Sequence, residues 1–201
     1  MPYIPVLRSI KYEAMTKGGG PWGAFVGVIS AFLANYGFTA PPATLQDPFC
    51  LEDDESAKTI LETLGRKFEI NNVYFKHYPA CRWAHGPLDA TISILQEHDV
   101  QPEHIKSILI ETFKEGLTLG HRKPSSLEGV EYSIPFTIAL AIVDREFGVK
   151  QLSLNRLEDP RVIKIAEKIE MKLDPKLDQM FPKYRPARVT ITTDEGYSYT
   201  K

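Results

Sequence analysis

Apolar positions change their spacing along this chain, and each change predicts a different kind of element. In "WGAFVGVISAFLANY", residues 22–36, nearly every position is apolar or small. A helix with no polar face is expected to be buried on all sides. Gly37 suits its C-cap, and the prolines at 41 and 42 prevent its continuation. Residues 1–16, with prolines at 2 and 5, read as irregular. After the loop "TLQDPFCLEDDE", Ile60, Leu61, Leu64 and Phe68 form an amphipathic stripe on a helix expected at about 55–67. Acids at its start and Arg66–Lys67 at its end suit the helix dipole.

From Asn71 the character changes. A short strand is expected at Val73–Tyr78 and a helix at about 86–97. "HIKSILIETF" (104–113) alternates as a strand, with Ile108 and Ile110 on one face. "SIPFTIALAIVDREF" (133–147) predicts a second apolar helix. "DPRVIKIAEKI" (159–169) predicts a third, with Asp159 as N-cap and Pro160 at the first helical position. "IEMKL" and "ARVTITTDEGYSYT" read as strands, the latter turning at Asp194–Gly196. The fold class expected is α+β: an all-helical part over 1–70, then an α+β domain over 72–201 with a mainly antiparallel sheet. The two helices of the first part cannot cover each other's apolar faces. The chain is therefore expected to dimerise or to bind a partner chain.

Composition narrows the function classes. The net charge is −2, with 43% hydrophobic and 25% charged residues, which suits one or two globular domains. A pI near 6.2 leaves no broad basic surface, so nucleic acid is not an expected partner. Cys50 and Cys81 form no CxxC pair, which argues against a zinc site or a disulfide scaffold and fits a reducing cytoplasm. The longest apolar run, Ala24–Ala34, is shorter than the roughly 20 residues of a spanning helix, so no membrane association is expected. The N-terminus shows no signal-peptide pattern, and a cytoplasmic location is expected.

Against that background one segment stands out. In "VYFKHYPACRWAHGPLDA", Lys76, His77, Arg82 and His85 fall within ten residues, and no Asp or Glu occurs from Ile70 to Leu88. Its flanks, Val73 and Phe75 before, Leu88, Ile92 and Leu95 after, read as core. Such cations beside a strand end are usually solvated, and Arg82 has the option of pairing with a distant acid. Two features point further. Pro79 and Gly86–Pro87 fix the backbone around the cluster. The following helix begins near His85–Gly86, adding the partial positive charge of its first amides. Lysine, imidazole, guanidinium and a helix N-terminus together describe a carboxylate pocket. "TKGGGPWG" offers a second anion-favouring turn, where Lys17 precedes a glycine-rich entry to a helix without the order of a phosphate loop. A tight turn with an exposed lysine is the alternative there.

Three motifs carry a family resemblance. "MTKGGGPWGAFVGVISAFLANYGFTAPPATLQ" resembles the MmgE/PrpD segment in which a lysine and a small-residue turn precede a small-residue helix and "LA-x-x-GFTGP". "FKHYPACRWAHGPLDA" resembles that family's "K-x-Y-P-x-C-x-x-x-H-x-x-x-D-A". "YSIPFTIALAIVDREFGVKQL…DPRVIKIAEKI" resembles its "FSLPY-x-x-A-x-x-x-x-DG" and "D-P-x-V-x-x-L-x-x-K-I". The family includes 2-methylcitrate dehydratases, cis-aconitate decarboxylases and iminodisuccinate epimerases.

The resemblance implies a helical domain and a smaller α+β lid, with an active site between them and neither metal nor organic cofactor. It also implies that residues 1–70 are the end of the helical domain, and that further catalytic Asp and His residues lie in a portion preceding this chain. Lys76 and His85 match lid residues of the motif and, with His77, are the catalytic candidates. Lys17 matches a lysine of the helical side. It joins Arg82 and Cys81 as a substrate-binding candidate, Cys81 standing where decarboxylases carry histidine. Arg145 stands where the "DG" element has glycine. The implied chemistry is proton abstraction next to a carboxylate of a small polycarboxylate, with cations stabilising the charge that develops and an imidazole as acid or base. A non-catalytic subunit that binds a carboxylate or a partner chain is the alternative.

Overall fold

The computed structural model describes residues 6–15, 20–39, 59 and 62–201. They divide into two compact units, one within 20–75 and the other comprising 6–15 and 76–201. Helix α1 (Val6–Lys11) belongs to the second unit, although residues 1–16 read as irregular in sequence. Helix α2 (Gly20–Asn35) belongs to the first. It ends as its sequence predicts. Gly37 takes φ +83° and donates to Ala34 O, and Phe38 donates to Leu33 O, so two otherwise orphaned carbonyls are satisfied. Its burial is not as expected. Trp22, Phe25, Val28 and Phe32 are all exposed, so among the described residues nothing uses this apolar surface. Of the helix expected at 55–67, only 59 and 62 are described as helical, and Ile60 and Leu61 lie outside the described residues.

The strand expected at Val73–Tyr78 does not form. A 3-10 turn at Glu69–Asn72 leads instead into extended chain with no ladder partner. Val73 is exposed and Phe75 is 100% exposed, so these flanks are not core. Alternating apolar residues here had the period of a strand, but among the described residues no strand pairs with them.

The second unit holds a four-stranded sheet in the order β2-β1-β3-β4, with β1 Ile105–Thr112, β2 Ile169–Leu173, β3 Ala187–Thr193 and β4 Ser198–Thr200. β1 pairs parallel with β2 and antiparallel with β3, and β3 pairs antiparallel with β4, so the sheet is mixed and mainly antiparallel. The register places Ile108 between Ile169 and Ile191, and Ile110 opposite Val189, which makes one apolar face. A register shift between Ile105 and Ser107 lets Ile105 join that face out of step with the period of two.

Helices α3 (His85–Glu97), α4 (Leu127–Glu131), α5 (Ile134–Asp144), α6 (Pro160–Glu167) and α7 (Pro175–Asp178) complete the unit. In α5 every residue from Ile134 to Ile142 is buried. It packs against α3, α4 and α6 and shares one hydrophobic cluster with the sheet. Ser133 caps its start by accepting from Phe136 N, and Asp159 caps α6 by accepting from Arg161 N.

Arg145 explains its own departure from glycine. It ends α5 in the left-handed conformation, φ 61°, and its guanidinium donates to Leu95 O (3.3 Å) and Val100 O (2.9 Å), the carbonyls around the end of α3, and to Asp99. The strained backbone thus aims a side chain that ties two helix ends together. Arg145→Ala keeps the strain and loses the ties, and is expected to cost about 1–3 kcal/mol in denaturant unfolding. Arg145→Gly relieves the strain and is expected to cost about 1 kcal/mol less than the alanine.

Candidate functional site

The basic segment lies at the entry to α3. Cys81 N donates to Glu131 O, which fixes the segment to the end of α4. A 3-10 turn, Arg82–Ala84, runs directly into α3 without a side-chain cap, so the first helical amides are not used by a capping residue. The Trp83 ring packs edge-on against Phe113 and Phe181, at 5.9 and 6.1 Å. Gly86 is needed for close approach, because a Cβ there would lie 3.0 Å from Arg185 O. The chain before β3 is thereby pressed against the start of α3.

The candidates separate by burial. Lys76, His77 and Arg82 are exposed, Cys81 is half-buried, and His85 is 3% exposed. Lys17 lies outside the described residues. Lys76 Nζ donates to Ala80 O at 2.9 Å, which bends its stem back over the segment and leaves two donors of the ammonium for other partners. His85 has a lowered pKa. Burial is the main cause, and the charges of Arg82 and Lys76 add to it, while a hydrogen bond to the Ala80 backbone and the charge of Asp89 oppose it. The charges of Arg82 and Lys76 thus both reach the His85 imidazole. Among the described residues His85 Nε2 is buried with no hydrogen-bond partner.

Cys81 is not poised as a nucleophile. Burial pushes its thiol up, only partly offset by a backbone hydrogen bond at Trp83 and the charge of Lys76. Among the described residues no group of three or more His, Cys, Asp or Glu side chains converges to hold a metal ion.

Two residues of the site were missed in sequence. Tyr78 is buried and donates its hydroxyl to Asp89 Oδ1 at 2.7 Å. Its ring sits edge-on to both His77 (4.6 Å) and His85 (5.2 Å). Burial, and then the bond to Asp89, push its phenol well up and keep it protonated. The available signal was Asp89 itself, the first acid after the acid-free run and one helical turn beyond His85.

The buried imidazole links acidity to stability. Because its folded pKa lies below the unfolded value, the unfolded chain binds the extra proton first as pH falls. The stability it allows is complete above about pH 6.5 and declines as pH drops through that unfolded value. Thermal unfolding between pH 7.5 and 5.5 is expected to show this decline, and His85→Gln is expected to flatten it.

No helix among the described residues is long and apolar enough to cross a membrane. A comparison with curated proteins finds no match. A family model does match: the MmgE/PrpD C-terminal domain, over residues 78–201, more than half of the chain and covering the segment from Tyr78 through the last strand. With the motif at the entry to α3 and the α+β unit behind it, the chain belongs to the MmgE/PrpD family.

Proposed function

We propose that residues 72–201 are the carboxylate-binding lid of a lyase of the 2-methylcitrate dehydratase kind, acting on a small polycarboxylate without a cofactor. In this reading residues 1–70 close a helical domain, with residues 6–15 packed in the lid's unit. The observation that carries it is a buried imidazole with an unpartnered Nε2 beside two exposed cations. Lys76 and Arg82 hold carboxylates, Arg82 bidentately. His85, kept neutral near pH 7 by burial, takes a proton from the carbon next to a carboxylate. Charge then grows on that carboxylate, so the cations stabilise the intermediate more than the ground state. His77, exposed on the other edge of Tyr78, is the second acid/base candidate.

One observation favours a second reading. His85 is almost fully buried, which suits a pocket that binds a carboxylate without turning it over. Assaying 2-methylcitrate dehydration with the purified 201-residue chain, alone and with the preceding helical portion of a family member added in trans, separates the two. Turnover in either assay that falls ~10²–10³-fold in Lys76→Ala and also in His85→Gln supports the lyase, and absence of turnover in both with intact binding supports the binding module.

Binding itself is tested by heat. A ligand that binds only the folded state at about 100 times its Kd adds ~2.7 kcal/mol. Citrate is expected to raise the unfolding temperature, and Lys76→Ala to abolish most of the rise. Lys123→Ala, a basic residue outside the motif, is expected to leave it intact. Equal protection of the wild type and Lys76→Ala would mean that the basic segment is only a solvated surface.

The exposed apolar residues of α2 make this helix the docking surface for a second copy or a helical partner in the same proposal. Sedimentation is expected to show association that Phe25→Asp or Phe32→Asp weakens, and a concentration-independent monomer would refute it.

A further inference from the structure

The shallow cleft lined by Asp99, Gln101, His104, Thr193, Glu195 and Tyr197 already has Asp99 engaged by Arg145 and Gln101. The apolar run at 64–75 has nothing to say what covers it. Around His85, by contrast, a hydrogen bond and ring contacts converge on one buried side chain.

We propose that Asp89 and Tyr78 are positioning residues for His85: the carboxylate pins the phenol, and the phenol ring holds the imidazole in one orientation. The inference rests on the reading of His85 as the base, and adds to it the two groups that control that base.

The geometry forms a closed circuit. Asp89 follows His85 by one turn of the same helix, so both side chains leave α3 on one face. From Asp89 Oδ1 the circuit passes through the 2.7 Å hydrogen bond to Tyr78, and from the Tyr78 ring back to the imidazole at 5.2 Å and 69°. Phe147 backs the same phenol ring at 6.3 Å. A tyrosine fixed only by its ring could still slide or tilt. The charge-assisted bond to a carboxylate removes that freedom, and the ring in turn restricts His85.

The circuit also sets the proton affinity of the base. Lys76 and Arg82 oppose proton uptake by the imidazole, and Asp89 favours it. The Tyr78 phenol and the Cys81 thiol, both pushed up by burial, stay neutral and add no charge. Asp89 thus acts on His85 through space as a counter-charge and through Tyr78 as an anchor. Neither Tyr78 nor Asp89 needs to touch a substrate.

NMR titration of the His85 ring in the 201-residue chain tests this, with the signal assigned by its loss in His85→Gln. Asp89→Asn removes the favourable charge and is expected to lower the titration midpoint. Tyr78→Phe keeps the ring, frees the carboxylate from its hydroxyl, and is expected to raise the midpoint. Opposite shifts from two conservative changes are not produced by a general loss of packing. A midpoint unmoved in Asp89→Asn, or moved the same way in both variants, overturns the proposal. Citrate protection read on the same samples keeps the two claims apart. Loss of protection in Lys76→Ala with an unmoved His85 midpoint sinks the positioning role and leaves the carboxylate reading standing. Opposite midpoint shifts without citrate protection of the wild type sustain the positioning role and sink the carboxylate reading.

Discussion

A helix buried along its whole length must be surrounded, and in the second unit that demand organises everything else. From Ile134 to Ile142 helix α5 offers no residue to solvent. Its neighbours α3, α4 and α6 are held where they cover it, and the sheet contributes Ile108, Ile110, Val189 and Ile191 to the same cluster. Burial on this scale supplies the main stabilising term of the unit, and it requires that the helix ends be satisfied locally. Ser133 does so at the start, where its hydroxyl also reaches His121 O, and at the other end Arg145 ties α5 to the carbonyls around the end of α3.

The site inherits its rigidity from this packing. Helix α3 is clamped along its length by α5 and at its end by Arg145. Its start is pressed against Arg185 through the missing side chain of Gly86. The basic segment is anchored by Cys81 N on Glu131 O, just before α5 begins. A polar ring nitrogen without a partner is costly to bury, and the His85 imidazole persists here because packed elements on each side leave it nowhere else to go. The same burial lowers its pKa.

The second unit was largely readable from sequence because its signals are local. Period-two alternation marked β1 and β3, Asp159–Pro160 marked the start of α6, and Asp194–Gly196 marked the final turn. Each depends on backbone preferences within a few residues. The strand expected at Val73–Tyr78 failed for the complementary reason: a strand needs a partner, and pairing is not encoded in the strand's own period. The residues of the basic segment were identifiable by type and by the absence of acids, but their roles were not. Lys76 and His85 look alike in sequence as potential cations, and only packing makes one exposed and the other buried.

Sequence alone therefore determined the order and type of most elements of the second unit, the Asp159 cap of α6, and the clustering of cations ahead of α3. Tertiary structure decided burial. Two helices of nearly the same apolar character, α2 and α5, end up exposed and enclosed respectively among the described residues. Likewise Tyr78 and Asp89, eleven residues apart, become one hydrogen-bonded unit beside His85 only when the turn at Arg82–Ala84 folds the chain back on α3. Local propensity acts over a turn or two of chain, whereas burial and pairing depend on which distant surfaces arrive, and that is a property of the whole packed unit.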